Sequence, residues 1–356
     1  MKKVRCAVIG AGWWSTTAHI PSLRDNPRAD LVAVQKRDRS GAQKVATDFQ
    51  VPHACTTVEE VLALELDAVV VGSTPNQHFS QAKAVIERGL HVLIEKPMTI
   101  TAAEAQELVD LAARQGVECL VGCTWHYTSH AAAALELVKN GELGDIKMVN
   151  LLMMDHLVGL YKKRTWKEFA EDCPDPEVEV EPYMAPNQDS YGDPAVAGGG
   201  QIYAQVSHAV GYLAYLTGDE PVSVQAFFDN GGSDVDIYDT INVKMAKGTI
   251  VSIGASGNIG GATRRMVVNA YGTKGVLELE LFYGKMRFWS FATGEQKFSD
   301  LPEAELYPKE APAQNLVDVA LGEAANLSPG TIGLTSMLII DAACQSAREG
   351  GVVTLS

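Results

Sequence analysis

Long apolar runs are missing from this chain of 356 residues. Nothing approaches the roughly 18 to 20 apolar residues of a membrane-spanning helix. Positive charge is scarce as well: 29 Lys and Arg stand against 44 Asp and Glu, a net charge of -15. Nucleic acids and anionic membranes are gripped through a Lys/Arg excess, so neither is an expected partner. The six cysteines, at 6, 55, 119, 123, 173 and 344, form no paired ladder and no CxxC. Reduced thiols in a cytoplasmic protein are the natural reading. The eight histidines include no HxH or HExxH spacing, so no metal is expected. Low-complexity tracts and internal repeats are absent too. The opening MKKVRCAVIGAG sets two lysines before an apolar run, but a glycine-rich turn stops it well short of a secretory segment.

What is present is enough for a large core: 46% of residues are hydrophobic, and the length favours two domains. Over the first 125 residues, short apolar strands (4–10, 29–35, 67–73, 91–97, 117–123) alternate with helical patterns (17–25, 40–48, 57–64, 78–89, 101–115). That alternation predicts a doubly wound parallel sheet of the Rossmann kind at 1–125. From 126 to 356 the texture changes to strands in close succession, with a helix at 200–217 and a last helix at about 332–348. The expectation is a largely antiparallel, open β-sheet flanked by helices, whose open face suggests pairing between subunits. Residues 171–194, rich in Pro and acids, read as a long loop.

Gly10-Ala11-Gly12-Trp13-Trp14-Ser15 closes the first strand and opens the first helix. The first glycine makes the tight turn, the second admits a pyrophosphate, and the helix N-terminus supplies N–H groups. An NAD site places an acid at the end of the second strand, on the ribose 2′-OH. Here Lys36 and Arg37 occupy that place, and Asp38 follows. Two cations suit a 2′-phosphate, each charge-assisted bond contributing roughly 1.5–3 kcal/mol. NADP is therefore the preferred cofactor, with NAD possible if the basic turn is solvated and Asp38 reaches back.

A Lys-Pro pair, Lys96-Pro97, ends a central strand, over the crevice where ligands bind in open α/β sheets. Together with the glycine loop, the TPNQH segment at 74–78, NGELGDI at 140–146 and GGG…H at 198–208, the chain resembles the Gfo/Idh/MocA oxidoreductases over nearly its whole length. That family includes glucose–fructose oxidoreductase and inositol dehydrogenases. The resemblance implies a nicotinamide-dependent sugar or polyol dehydrogenase or reductase, homo-oligomeric as a dimer or tetramer. It places Gly10, Gly12, Trp13 and Trp14 at the pyrophosphate. Thr74, Pro75, Asn76 and His78 fall by the nicotinamide ribose, and Glu95 and Lys96 at the nicotinamide. Lys96 would be the catalytic lysine, and His208 its partner.

As a base, Lys96 would have to titrate near 7 rather than about 10.4, a displacement worth about 4 kcal/mol of desolvation or nearby positive charge. The alternative is a charged Lys96 that polarises the substrate oxygen while His208 moves the proton.

One departure from the family is chemical. Its pattern sets an Asp one helical turn before the His, where this chain has Ala204, and Val206 stands for a glycine. Three readings are open. Gln201 or Gln205, on the face of His208, replaces the acid as a neutral grip. A carboxylate from elsewhere (Asp155, Asp189 or Asp193) enters the site. Or catalysis is lost, leaving an NADP-binding sensor. Further substrate-binding candidates are Trp125, His126 and Tyr127, which follow the last strand of the first domain, with Asp155 and Tyr191. Tyr183 and Tyr191 either stack on a sugar or anchor their loop. A second enzyme reading is transient oxidation, in which a bound cofactor is recycled while a glycoside is modified.

Overall fold

The computed structural model describes residues 3–173, 178–259 and 264–355. The chain divides into two compact units. The first holds residues up to Cys123 together with Glu179–Ser190 and Lys309–Leu334; the second holds Thr124–Val178, Tyr191–Pro308 and Thr335–Ser356.

In the first unit, strands β1 (Val4–Ile9), β2 (Ala29–Gln35), β3 (His53–Cys55), β4 (Ala68–Val71), β5 (His91–Ile94) and β6 (Cys119–Val121) form a parallel sheet in the order β3-β2-β1-β4-β5-β6. This is the doubly wound order whose switch point lies between β1 and β4. The short apolar strands are buried on both faces; Ala68, Val69, Val70 and Val71 are wholly enclosed. Strand β3 was not expected, because three residues are too few to carry a period. The helices follow local signals. Ala102–Gln115 starts at a capping box between Thr101 and Glu104 and stops at Gly116 in the left-handed conformation. Helix Ala311–Ala320 closes this unit, its Ala313, Leu316 and Val317 joining the core of β1, β2 and β4.

The second unit is a nine-stranded sheet of β7 (Ile146–Met154), β8 (Pro221–Asp229), β9 (Tyr238–Met245), β10 (Ile250–Ser256), β11 (Arg265–Gly272), β12 (Gly275–Glu280), β13 (Lys285–Ser290), β14 (Gly294–Lys297) and β15 (Val353–Thr354). The order is β14-β13-β12-β11-β7-β10-β9-β8-β15. All pairs are antiparallel except β7 with β10. One face is buried; on β9 the inward residues are Asp239, Ile241, Val243 and Met245. Helix Ser207–Thr217 is almost entirely enclosed, which accounts for its apolar sequence.

Two expected helices begin differently from their pattern. Ser15–His19 and Ile202–Val206 are wide, π-type turns that run into Ile20–Asp25 and Ser207–Thr217. At the first, Thr16 and Thr17 hydroxyls bond back to the Gly12 and Trp13 carbonyls, competing with the regular ladder. Such turns concentrate at functional sites. The expected loop at 171–194 contains one short helix, Asp189–Gly192, and runs into a second, Pro194–Ala197, capped by Asp193; residues 174–177 lie outside the described residues.

Candidate active site

In the first unit, the glycine loop is built for close approach. Gly10 has φ +81°, and a Cβ there would stand 2.4 Å from the Ser73 amide nitrogen, so no other residue fits. Gly12 is the reverse: nothing but the Gly10 carbonyl lies near its Cα, at 4.0 Å from an added Cβ. That open space at a helix N-terminus fits a pyrophosphate. Gln35, buried at the end of β2, fixes the loop, its Oε1 accepting from the Gly10 amide at 3.1 Å while its Nε2 donates to the Thr56 carbonyl.

Lys36 and Arg37 follow directly after β2. Lys36 is half-buried, its Nζ 3.6 Å from Asp38, and Arg37 is exposed. Asp38 caps the helix Arg39–Asp48 through the Gly41 amide, and that hydrogen bond leads the interactions holding its carboxyl below the ordinary value.

At the ends of β4 and β5, Thr74 donates to the Asn76 side chain at 2.8 Å, and Pro75 opens the helix Pro75–Glu87. His78 is buried between two carbonyls, Pro97 at 2.9 Å and Ser73 at 3.0 Å, so it ties the two strand ends together. Burial pushes its pKa down, against both carbonyls. The Lys96–Pro97 bond is cis. Glu95 is enclosed. Its Oε1 accepts from Trp14 Nε1 at 3.0 Å and meets His19 Nε2 at 2.8 Å, and its Oε2 accepts from the Lys96 amide at 3.1 Å. Burial alone would raise Glu95; His19 and Lys96 outweigh it and hold the carboxyl below its ordinary range. The glycine loop and Lys96 are thus joined through one carboxylate. Trp13 packs edge-on against Trp14 at 5.8 Å.

In the second unit, His208 is buried and its ring lies 5.0 Å from that of Trp125, edge to face. Trp125 also meets Phe282 at 5.0 Å and Tyr307 at 4.9 Å. Arg264 stacks over Phe282 at 4.4 Å and is gripped by Asp155 through two bonds, 2.8 and 3.1 Å. The structure therefore brings Trp125, His208, Asp155 and Arg264 into one connected wall, with the Asp155 carboxylate engaged by Arg264 and by the His156 amide.

Other expected residues lie deeper. His126 stacks on Tyr215 at 4.6 Å, and burial drives its pKa to about 3, so it is a neutral packing residue. Tyr127 follows it, half-buried. Gln201 is wholly enclosed: its Oε1 accepts from the Tyr161 hydroxyl at 2.8 Å and its Nε2 donates to the Met153 carbonyl at 3.2 Å. Gln205 is half-buried on the same turn. Ala204 and Tyr191 pack against the small apolar cluster of Tyr161, Val235 and Ile237, which explains an apolar side chain at 204. Asp189 sits at the surface and Asp193 caps its helix. In the first unit, Tyr183 donates to Asp48 at 2.8 Å and packs edge-on against Phe49, anchoring its segment.

The sequence reading missed His19, Arg264, Phe282, Asp236 and Asp239. Asp239 carried a signal, being an acid on the inward parity of an alternating strand. Arg264 carried none, since only the fold brings it to Asp155.

Residues 4–123 match the family model described as an oxidoreductase family with an NAD-binding Rossmann fold, and residues 176–278 match the Gfo/Idh/MocA C-terminal domain. An uncharacterized oxidoreductase of Synechocystis sp. is 31% identical over 60% of this chain and 51% of its own length. Glucose-6-phosphate 3-dehydrogenase of Bacillus subtilis is 29% identical over 48% of this chain and 47% of its own. The chain thus spans about half the length of these curated relatives. Levoglucosan dehydrogenase, solved with NADH and levoglucosan, superposes with a TM-score of 0.79 over 99% of both chains at 16% identity, a likeness of fold.

Proposed function

Because this chain belongs to the Gfo/Idh/MocA oxidoreductases, we propose that it transfers hydride between NADP, in preference to NAD, and a secondary alcohol or ketone of a sugar, glycoside or polyol. The observation that carries the reading is Glu95. It fastens the backbone of Lys96 at the end of β5 to Trp14 of the glycine loop, so the residue suited to the substrate oxygen is built into the cofactor loop. The nicotinamide, when bound, supplies the hydride chemistry. Lys96 donates to the reacting oxygen, and the family resemblance gives His208 the exchange of its proton. Gln205 stands as the neutral grip in place of the family acid, with Gln201 fixing the turn from inside. Lys36 and Arg37 receive the 2′-phosphate.

The names of two relatives support a carbohydrate substrate: one acts on glucose 6-phosphate, the other binds levoglucosan. All six cysteines are free thiols, which supports a cytoplasmic setting. The outward face of the large sheet carries Leu152, Phe227, Tyr238, Ile250 and Trp289, all exposed, and supports pairing into a homo-oligomer. The test is the near-ultraviolet absorbance of reduced nicotinamide with a panel of sugars and polyols. Net reduction of NADP by a neutral sugar or polyol is the expected result. Product change without net reduction would replace this reading with transient oxidation. Cofactor binding with no turnover, unchanged by Lys96→Ala, would overturn catalysis altogether.

A further inference from the structure

Behind the three glycines lies a pair of carboxyl groups that the proposed chemistry does not use. Asp236 takes the place of a helix cap from outside the helix. Its Oδ1 accepts from the Gly200 amide at 2.8 Å, its Oδ2 from the Ile202 amide at 2.7 Å, and its carbonyl from the Gln201 amide at 3.0 Å. Three successive N–H groups of the turn that leads to Gln205 and His208 therefore end on one residue. The glycines are the other half of this fit. A Cβ on Gly200 would stand 2.0 Å from the Asp236 carbonyl oxygen, and one on Gly199 would stand 3.0 Å from its Oδ1.

Asp239 sits beside it on the inward face of β9. It is only 2% exposed, and among the described residues neither of its oxygens meets a protein donor; its polar neighbour is the Asp236 carboxyl. An ionised carboxylate so enclosed and so placed would face a second anion with nothing to satisfy it. A proton between the two groups resolves both problems. We propose that Asp239 is a protonated acid that donates to Asp236, and that this pair is the positioning device for the turn carrying Gln205 and His208.

The surroundings agree. Burial first, and then the Asp236 charge, push Asp239 well above the ordinary carboxyl value. Burial lifts Asp236 as well, opposed by the Ile202 and Gly200 amides. The other titratable groups reached by the pair are Tyr161 after β7, Tyr203 on the turn, and Cys344 on the last helix, with Asp341 and Arg348 acting on Cys344. Burial raises both tyrosines and the thiol, so all three stay neutral beside the pair. An acid whose pKa is higher in the folded chain stabilises fully below its unfolded value, and that contribution is lost as pH rises through the folded value. Stability and the placement of His208 should therefore both weaken on the alkaline side.

The role in positioning rests on the proposed oxidoreductase activity; the shared proton does not. Asp239→Asn tests it, because an amide N–H replaces the acid proton and cannot ionise. From about pH 5 to 8 the wild-type melting temperature should fall, and the variant's should fall less and end higher. An infrared band of a buried protonated carboxyl should be present in the wild type at neutral pH and missing from the variant. Asp239→Leu, which has no donor, should melt lower than Asp239→Asn. An equal pH slope in wild type and Asp239→Asn, or no such band in the wild type, would overturn the shared proton; the wild-type spectrum decides this even if a variant fails to fold. In turnover, Asp239→Asn should match wild type near neutrality and keep its rate where the wild type declines at high pH. An unmoved alkaline limb would overturn the positioning role. If no form turns over any substrate, the functional reading fails, while melting and infrared still decide the pair.

Discussion

Glu95 and His19 meet at 2.8 Å inside the first unit, and the same glutamate oxygen accepts from Trp14. Among the described residues His19 Nδ1 is enclosed without a protein partner, and because Nε2 faces a carboxylate the ring donates through Nε2–H. Glu95→Gln keeps the shape and removes the charge. It should cost about 2–3 kcal/mol, because hydrogen bonds to a charged group are weakened and one donor is left without an acceptor. The carboxyl is depressed in the folded chain, so its contribution is present above the unfolded value of about 4.3 and is lost as pH falls through the lower folded value. Denaturant titrations of wild type and variant should therefore converge at acid pH and diverge toward neutrality. Parallel curves at all pH values would refute the assignment.

The proposed preference for NADP turns on Lys36, which lies over Gly41 and reaches Asp38. With the 2′-phosphate bound, Lys36 and Arg37 gain a doubly charged partner. Replacing either with Ala should weaken NADP by about 10- to 100-fold, at roughly 1.5–3 kcal/mol per charge-assisted bond, and leave NAD nearly unchanged. Calorimetric titration of both dinucleotides into both variants measures this. Tighter NAD binding by the wild type would end the argument for NADP.

Lys96→Ala and His208→Ala should each lower kcat by about 10²- to 10⁴-fold, the range of a lost proton-transfer group. NADP affinity should survive His208→Ala, since that side chain packs on Trp125 in the second unit. If His208 moves the proton and Lys96 only polarises the oxygen, the acid limb of the pH–rate profile vanishes in His208→Ala and persists in Lys96→Ala.

Gly200→Ala tests the tight fit at the three glycines. The added methyl would stand 2.0 Å from a backbone oxygen, which cannot rotate away. Overpacking of this kind costs about 1–3 kcal/mol. The variant should melt lower than Gly12→Ala, whose methyl enters open space and acts on NADP binding instead.

The parallel sheet was legible because every strand of it except β3 is a near-continuous apolar run, and the second sheet, apart from β14 and β15, because its strands follow one another with short turns. The glycine loop and Lys96 were legible because each sits at a strand end, where position implies role. Arg264, Phe282 and His19 were not, since each works through a partner at least 76 residues away in sequence. The grip expected of Gln201 shows the same limit from the other side. Helical spacing placed it with Gln205 and His208, but only the fold shows its amide turned to Tyr161 and Met153.

The thiols give a prediction that depends on burial alone. Cys6, Cys119 and Cys123 are enclosed, and burial pushes each up to about 12, with no cation strong enough to offset it. Cys344 rises to about 12 for the same leading reason. The thiolate is the reactive form, so at about pH 8 only on the order of one part in 10⁴ of each is available, even before access is considered. A disulfide-exchange reagent should therefore leave these four intact in the native protein and modify all six cysteines in denaturant. Peptide mapping after a brief native exposure identifies which thiols react. Rapid labelling of Cys6, Cys119 or Cys123 would mean that the parallel sheet opens locally, at a free energy far below that of global unfolding.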